Sequence, residues 1–112
     1  MNLICTTENL DLLFYDVRLD EIHPNAFTGL NLEKLCLFEA GLQTMPYFRG
    51  ASYHTRHLDL SDNHIKVIPI DYFAGNFSKL ETLLITHNEI EMIPDLSCLA
   101  HSLFRLDFKY NR

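Results

Sequence analysis

Glycine is scarce. The 112 residues hold only 4, at Gly29, Gly41, Gly50 and Gly75, and none of them pair up. The chain therefore has no glycine-rich loop to cradle a phosphate, and no Gly-x-Ser-x-Gly elbow to hold a nucleophile. Basic residues are also few: 9 Lys and Arg against 15 Asp and Glu leave a net charge of −6. They never form a run, so the electrostatic footprint of a nucleic-acid binder is missing. No apolar run approaches the roughly 20 residues that span a bilayer. The N-terminus, Met1-Asn2-Leu3-Ile4-Cys5-Thr6-Thr7-Glu8, has neither the basic region nor the apolar stretch of a signal peptide. Either the chain is cytosolic as written, or a targeting segment has been removed from it. Carboxylates are common, but nothing places two of them in a shielded cleft with opposed pKa values. Six histidines occur without a Cys-x-x-Cys pair or a His-Glu-x-x-His run. They read as surface histidines, with no metal site, no other cofactor and no catalytic residue expected.

What is present is an ordinary globular mix, 47% hydrophobic and 21% charged. At this length one small domain buries roughly two thirds of its unfolded surface. Internal repetition decides its architecture. Leu58-Asp59-Leu60-Ser61-Asp62-Asn63-His64-Ile65-Lys66-Val67-Ile68-Pro69 aligns with Leu83-Leu84-Ile85-Thr86-His87-Asn88-Glu89-Ile90-Glu91-Met92-Ile93-Pro94, an offset of 25 residues. Leu35-Cys36-Leu37 through Met45-Pro46 is a third copy, and Leu106-Asp107-Phe108-Lys109-Tyr110-Asn111 begins a fourth, each offset by 23. Leu12 through Ile22 is a degenerate first copy. The shared pattern is apolar-x-apolar-x-x-Asn-x-Ile-x-x-Ile-Pro, with Val17 and Ala40 standing where Asn is expected.

The period-2 alternation at Leu58/Leu60 and Leu83/Ile85 is that of a strand with one buried face. Each strand is too short to fold alone. Stacked about 4.8 Å apart, the strands make one parallel sheet, and the rest of each repeat returns along the back as turn or short helix. Ile65, Ile68, Ile90 and Ile93 are expected in the same core. Asn63, Asn88 and Asn111 recur where the chain bends inward, and a buried Asn there can bond backbone groups of its own turn and of the neighbouring one.

The run Leu80-x-x-Leu83-x-Ile85-x-x-Asn88-x-Ile90-x-x-Ile93-Pro94, with Phe27 and Phe73 in the back halves, resembles the leucine-rich repeat family. The Ile-Pro element and the back-half Phe resemble its "typical" subtype. The resemblance implies an α/β repeat fold, a leucine-rich-repeat solenoid: a curved right-handed superhelix with a concave parallel β-sheet and an irregular or short-helical convex side. It divides the chain into an N-terminal cap or repeat remnant (1–8) and repeats at 9–31, 32–54, 55–79, 80–102 and, in part, 103–112. Repeat stacks need capped ends, so the natural protein, or its physiological assembly, is expected to continue past Arg112; the alternative is a short repeat protein whose final strand frays.

The resemblance implies recognition or adhesion of a protein ligand on the concave face, without enzymatic chemistry. It also implies a secreted or receptor-ectodomain context in which other segments carry signal transduction; a cytosolic scaffold or adaptor is the alternative. The side chains between buried strand positions map that face. The ligand-binding set is Leu13, Tyr15, Phe38, Glu39, His57, Asp59, Asp62, Leu84, Thr86 and His87. Leu13, Tyr15, Cys36 and Phe38 are expected to form an apolar patch, open to a ligand or covered by a cap or a symmetric copy. Asp16, Glu39 and Asp62, with Asp59 close by, form an acidic column. It either attracts a basic partner or acts as a solvated face. The uncapped last strand, Leu106–Asn111, is a candidate for self-association.

The three cysteines, an odd count, argue against a self-contained disulfide scaffold. Cys5 and Cys98 fall at similar back-half positions four strand spacings apart, roughly 19 Å, whereas a disulfide needs Cα atoms within about 7 Å. Cys36 lies on the opposite face. No intrachain disulfide is expected, and Cys98 reads as a small buried hydrophobe. Free cysteines favour a reducing compartment, in tension with the subtype, although Cys5 can instead belong to an oxidised cap. Asn76-Phe77-Ser78 is an N-glycosylation sequon, with Asn76 the acceptor.

Overall fold

A computed structural model describes residues 12–13, 23, 25, 32–47, 54–74 and 77–112. Five short strands follow in chain order: β1 (Leu12–Leu13), β2 (Lys34–Cys36), β3 (His57–Asp59), β4 (Thr82–Leu84) and β5 (Arg105–Asp107). They form one parallel sheet in the order β1-β2-β3-β4-β5. The register joins Leu12, Leu35, Leu58, Leu83 and Leu106, one residue per repeat. The first repeat thus enters the sheet in step with the others.

Strands β2 to β5 stop early because the backbone turns. Glu39, Asp62, His87 and Tyr110 all have φ between 53° and 61°, the left-handed region that costs a non-glycine residue roughly 1–2 kcal/mol. All four occupy the same repeat position. The residue that follows, Ala40, Asn63, Asn88 or Asn111, is thereby turned toward the core.

There the asparagines satisfy backbone groups on both sides. Asn63 Oδ1 accepts from the N–H of Ala40 and of Leu42, each at 3.0 Å, and Asn63 Nδ2 donates to the carbonyls of Leu37 (2.9 Å), Leu60 (3.0 Å) and Ser61 (3.2 Å). Asn88 Oδ1 accepts from Ile65 N–H, and Nδ2 donates to Leu60 and Thr86. Asn111 Oδ1 accepts from Ile90 N–H, and Nδ2 donates to Ile85 and Phe108.

The core lies on the other side of each Leu-x-Leu pair. Leu35, Leu37, Leu58, Leu60, Leu83 and Ile85 are fully buried, each contributing on the order of 1.5–3 kcal/mol relative to exposure. Behind them Tyr72, Phe73 and Phe77 close the back half, with ring centroids 5.0–5.9 Å apart. The Tyr72 hydroxyl donates to the Pro46 carbonyl across one repeat. Phe27 lies outside the described residues.

Three expectations are corrected. Ile93 is 51% exposed although its counterpart Ile68 is buried: the repeat that follows covers Ile68, and among the described residues nothing equivalent covers Ile93. Cys98 is exposed. It sits in a single 3-10 turn, Ser97–Leu99, where Leu99 takes the buried place; Asp95 Oδ1 accepts the Ser97 N–H at the start of that turn. Cys36 is disulfide-bonded, against the expectation of no intrachain bridge. Cys5 lies outside the described residues. The face a cysteine occupies in a regular repeat does not by itself exclude a bridge, which needs only that two thiols meet.

Candidate ligand-binding face

The side of the sheet away from the core carries four columns of side chains, one residue per strand. Parallel strands about 4.8 Å apart bring neighbours in a column into contact. In the column Leu13, Cys36, Asp59, Leu84, Asp107 most members are hidden. Cys36 is 1% exposed, Asp59 3% and Leu84 5%, so these three offer little surface to a ligand. Asp59 Oδ1 accepts the N–H of Ser61, and Asp107 Oδ1 that of Lys109. Both carboxylates hold the strand exit in a two-residue turn. Of the apolar patch expected from Leu13, Tyr15, Cys36 and Phe38, Cys36 is buried and bonded and Phe38 is half-buried. Tyr15, Asp16 and the Leu13 side chain lie outside the described residues.

The column Lys34, His57, Thr82, Arg105 borders the strand entry. Thr82 is buried and His57 half-buried. Burial lowers the His57 pKa below its usual value against the opposing pull of Glu81, and its Nδ1 is enclosed without a hydrogen-bond partner. Loss of water disfavours the charged imidazolium, the expected direction for a partly buried base. Beyond this column Arg56 pairs with Glu81 on the surface.

The accessible chemistry lies at the strand exit. In the column Phe38, Ser61, Thr86, Lys109, the Ser61 Oγ accepts the Thr86 N–H at 3.1 Å. Next to it run the four left-handed residues Glu39, Asp62, His87 and Tyr110, all exposed. His87 stacks on Tyr110 with centroids 4.4 Å apart and planes 19° from parallel, as one strand spacing dictates. On its other side His87 Nδ1 lies 3.7 Å from Asp62 Oδ1. The result is a rim of two carboxylates, an imidazole and a phenol ring, the last 71% exposed. Outside the rim, Glu89 sits between His64 (3.3 Å) and Arg112 (3.7 Å).

Of the expected ligand-binding residues, the structure therefore gathers Glu39, Asp62, Thr86 and His87 along one exposed edge, with Phe38 and His57 half-covered. Tyr110 is not in that set, yet among the described residues it is the most exposed aromatic of the face. The signal for it was its place one residue before Asn111, the position Glu39, Asp62 and His87 hold in their own repeats. Among the described residues no group of three His, Cys, Asp or Glu side chains is placed to hold a metal ion, and no helix is long and apolar enough to cross a membrane.

A family model described as "Leucine rich repeat" matches residues 54–112. Among curated proteins the chain is 33% identical to an acidic leucine-rich nuclear phosphoprotein 32-related protein of Plasmodium falciparum (isolate 3D7), over 72% of this chain and 30% of that protein. It is 32% identical to the human volume-regulated anion channel subunit LRRC8E, over 72% of this chain and 10% of that protein. The chain thus spans less than a third of either relative.

Proposed function

Because this chain belongs to the leucine-rich repeat family, we propose that it is a protein-binding module without catalytic activity, which presents a curved, concave sheet face to a protein ligand. The rim Glu39, Asp62, His87 and Tyr110, with Thr86 and Lys109 beside it, is the observation that carries this reading. Its side chains are exposed, yet each is mounted on a backbone turn locked by an inward-facing neighbour, so binding immobilises little that is not already fixed. Phe38 and His57 border the contact. Asp59 and Leu84 belong to the supporting layer.

The setting we propose is a secreted or cell-surface ectodomain, with signalling supplied by other segments. The bond at Cys36 supports it, since disulfides persist in oxidising compartments. A chain exported this way would carry a glycan at Asn76; Ser78 of that sequon is exposed. The second reading, a cytosolic scaffold, draws on the free, exposed thiol of Cys98. The relatives, named as a nuclear phosphoprotein-related protein and as a channel subunit, leave both settings open.

The test places a photo-crosslinking amino acid at Thr86 or Tyr110, on the rim, or at Ser78, on the back, and adds candidate secreted and cytosolic protein pools. A partner labelled from the rim positions, not from Ser78, and competed by unlabelled chain supports the reading. Labelling from Ser78 alone overturns it. The pool that yields the competed partner decides the compartment.

A further inference from the structure

A buried polar atom at the strand entry takes no part in the hydrogen bonding that holds the sheet. Among the described residues, Nδ1 of His57 is enclosed and has no hydrogen-bond partner. The residue opens β3 and lies between Lys34 of β2 and Thr82 of β4. The backbone around it ties three strands together. The Glu33 carbonyl accepts the N–H groups of Arg56 (2.9 Å) and His57 (3.1 Å), and the Arg56 carbonyl accepts those of Glu81 (2.8 Å) and Thr82 (3.0 Å). His57 thus stands where two strand interfaces begin.

A neutral imidazole tolerates this place, because it can carry its one proton on Nε2 and leave Nδ1 bare. An imidazolium donates from both nitrogens, and the enclosed Nδ1 finds no acceptor. A buried donor left unsatisfied is costly. The surrounding charges do not offset that cost. Glu33 and Lys34 lie on the β2 side, Glu81 on the β4 side, and Arg56 precedes His57 in the chain. Burial lowers the His57 pKa most; Glu81 raises it, Lys34 lowers it, Glu33 raises it and Arg56 lowers it. Two carboxylates and two cations thus oppose one another, and Arg56 is itself paired with Glu81. Asp59, the next residue of β3 on this face, is turned to the Ser61 N–H. Loss of water decides the direction. The folded chain favours the neutral ring, so this contribution to stability is complete above about pH 6.5 and is lost as pH falls through the lowered value.

We propose that His57 is an acid-sensitive latch: neutral, it lets β2, β3 and β4 close at their entry ends, and protonated, it parts those ends to bring water to Nδ1. The strand exit answers acid differently. There His87 lies beside Asp62 and His64 beside Glu89, so protonation of these rings adds attraction between the repeats of β3 and β4. One change in pH therefore loosens the entry end of the sheet and leaves the exit end closed. The latch is a property of the free chain and does not rest on ligand binding at the rim.

The test is amide hydrogen exchange of the full chain at about pH 7.5 and about pH 5.5, corrected for the intrinsic pH dependence of exchange. At the lower pH the amides of Arg56, His57, Glu81 and Thr82 are expected to lose protection about threefold or more relative to the exit amides of Leu37, Leu60 and Ile85. The difference is expected to vanish in His57→Gln and in His57→Leu, neither of which takes up a proton, and to persist in the double variant His64→Gln with His87→Gln. Unchanged protection at the lower pH would mean that the charged ring turns out to solvent without moving the strands, which overturns the latch. Equal losses at entry and exit would make the effect global and overturn it too. A loss that survives both His57 variants, or that disappears in the double variant, would assign the acid response to another histidine, and the proposal fails.

Discussion

Replacing Asn63 by Ala is the sharpest test of how the repeats are held together. The side chain is 4% exposed and bonds groups of both its own repeat and the preceding one. Removal orphans the Ala40 and Leu42 N–H groups and the Leu37 carbonyl. Leu60 O keeps the bond from Asn88, and Ser61 O that from Glu39. A buried group left unsatisfied costs about 1–3 kcal/mol. Even at about 1 kcal/mol for each of the three groups the variant loses about 3 kcal/mol, a large share of the roughly 5–15 kcal/mol typical of a domain. At about 4 °C or more per kcal/mol for a domain near this size, Tm falls by about 12 °C or more. Asn111→Ala removes the same bond types at a half-buried site where water can replace them, so it loses less than about 1 kcal/mol. Urea unfolding of both variants measures the contrast, and hydrogen exchange at Ala40 and Leu42 localises it. Equal losses, or an Asn63→Ala loss under about 1 kcal/mol with both amides still protected, refute the reasoning.

The left-handed turns predict that Glu39→Val is destabilising, because a β-branched residue is more hindered at positive φ than Glu. Glu39→Gly relieves the left-handed cost at the expense of a freer unfolded chain and stays within about 1 kcal/mol of the parent. The same urea titrations read both. Burial raises the Tyr72 pKa well above its ordinary value. Its protonated form is thus favoured in the folded chain, so that stability is intact below pH about 10 and lost as pH rises above it. A titration followed at 295 nm, with near-ultraviolet circular dichroism, is expected to show a tyrosine that ionises only as the fold is lost, a step missing from Tyr72→Phe. Under native, non-reducing conditions Cys98 reacts with a thiol reagent and Cys36 does not, and reduction lowers stability by about 2–4 kcal/mol; a reactive thiol at Cys36 before reduction contradicts the bond.

The strand positions and their pairing were legible from Leu35, Leu58, Leu83 and Leu106 alone. In a parallel stack each residue lies beside its counterpart one repeat away, so the alignment offset is also the pairing register. The apolar alternation likewise marked which side of each strand turns inward, because its period matches the pleat. What the pattern could not carry was anything that depends on which neighbour is present. Ile68 and Ile93 are the same residue in the same context, yet one is sealed and the other open, because covering comes from the next repeat and not from the residue itself. Asp59 and Leu84 look like ligand contacts in the alternation, but side chains one strand spacing apart shield one another. Counting strand spacings did not reveal the bond at Cys36, because a bridge depends on where two thiols meet in space and not on their repeat positions. The repeat offset makes His87 and Tyr110 neighbours, but the near-parallel stacking of their rings is a matter of tertiary geometry. It exists because successive strands, both turned through the same left-handed corner, set the two rings one spacing apart.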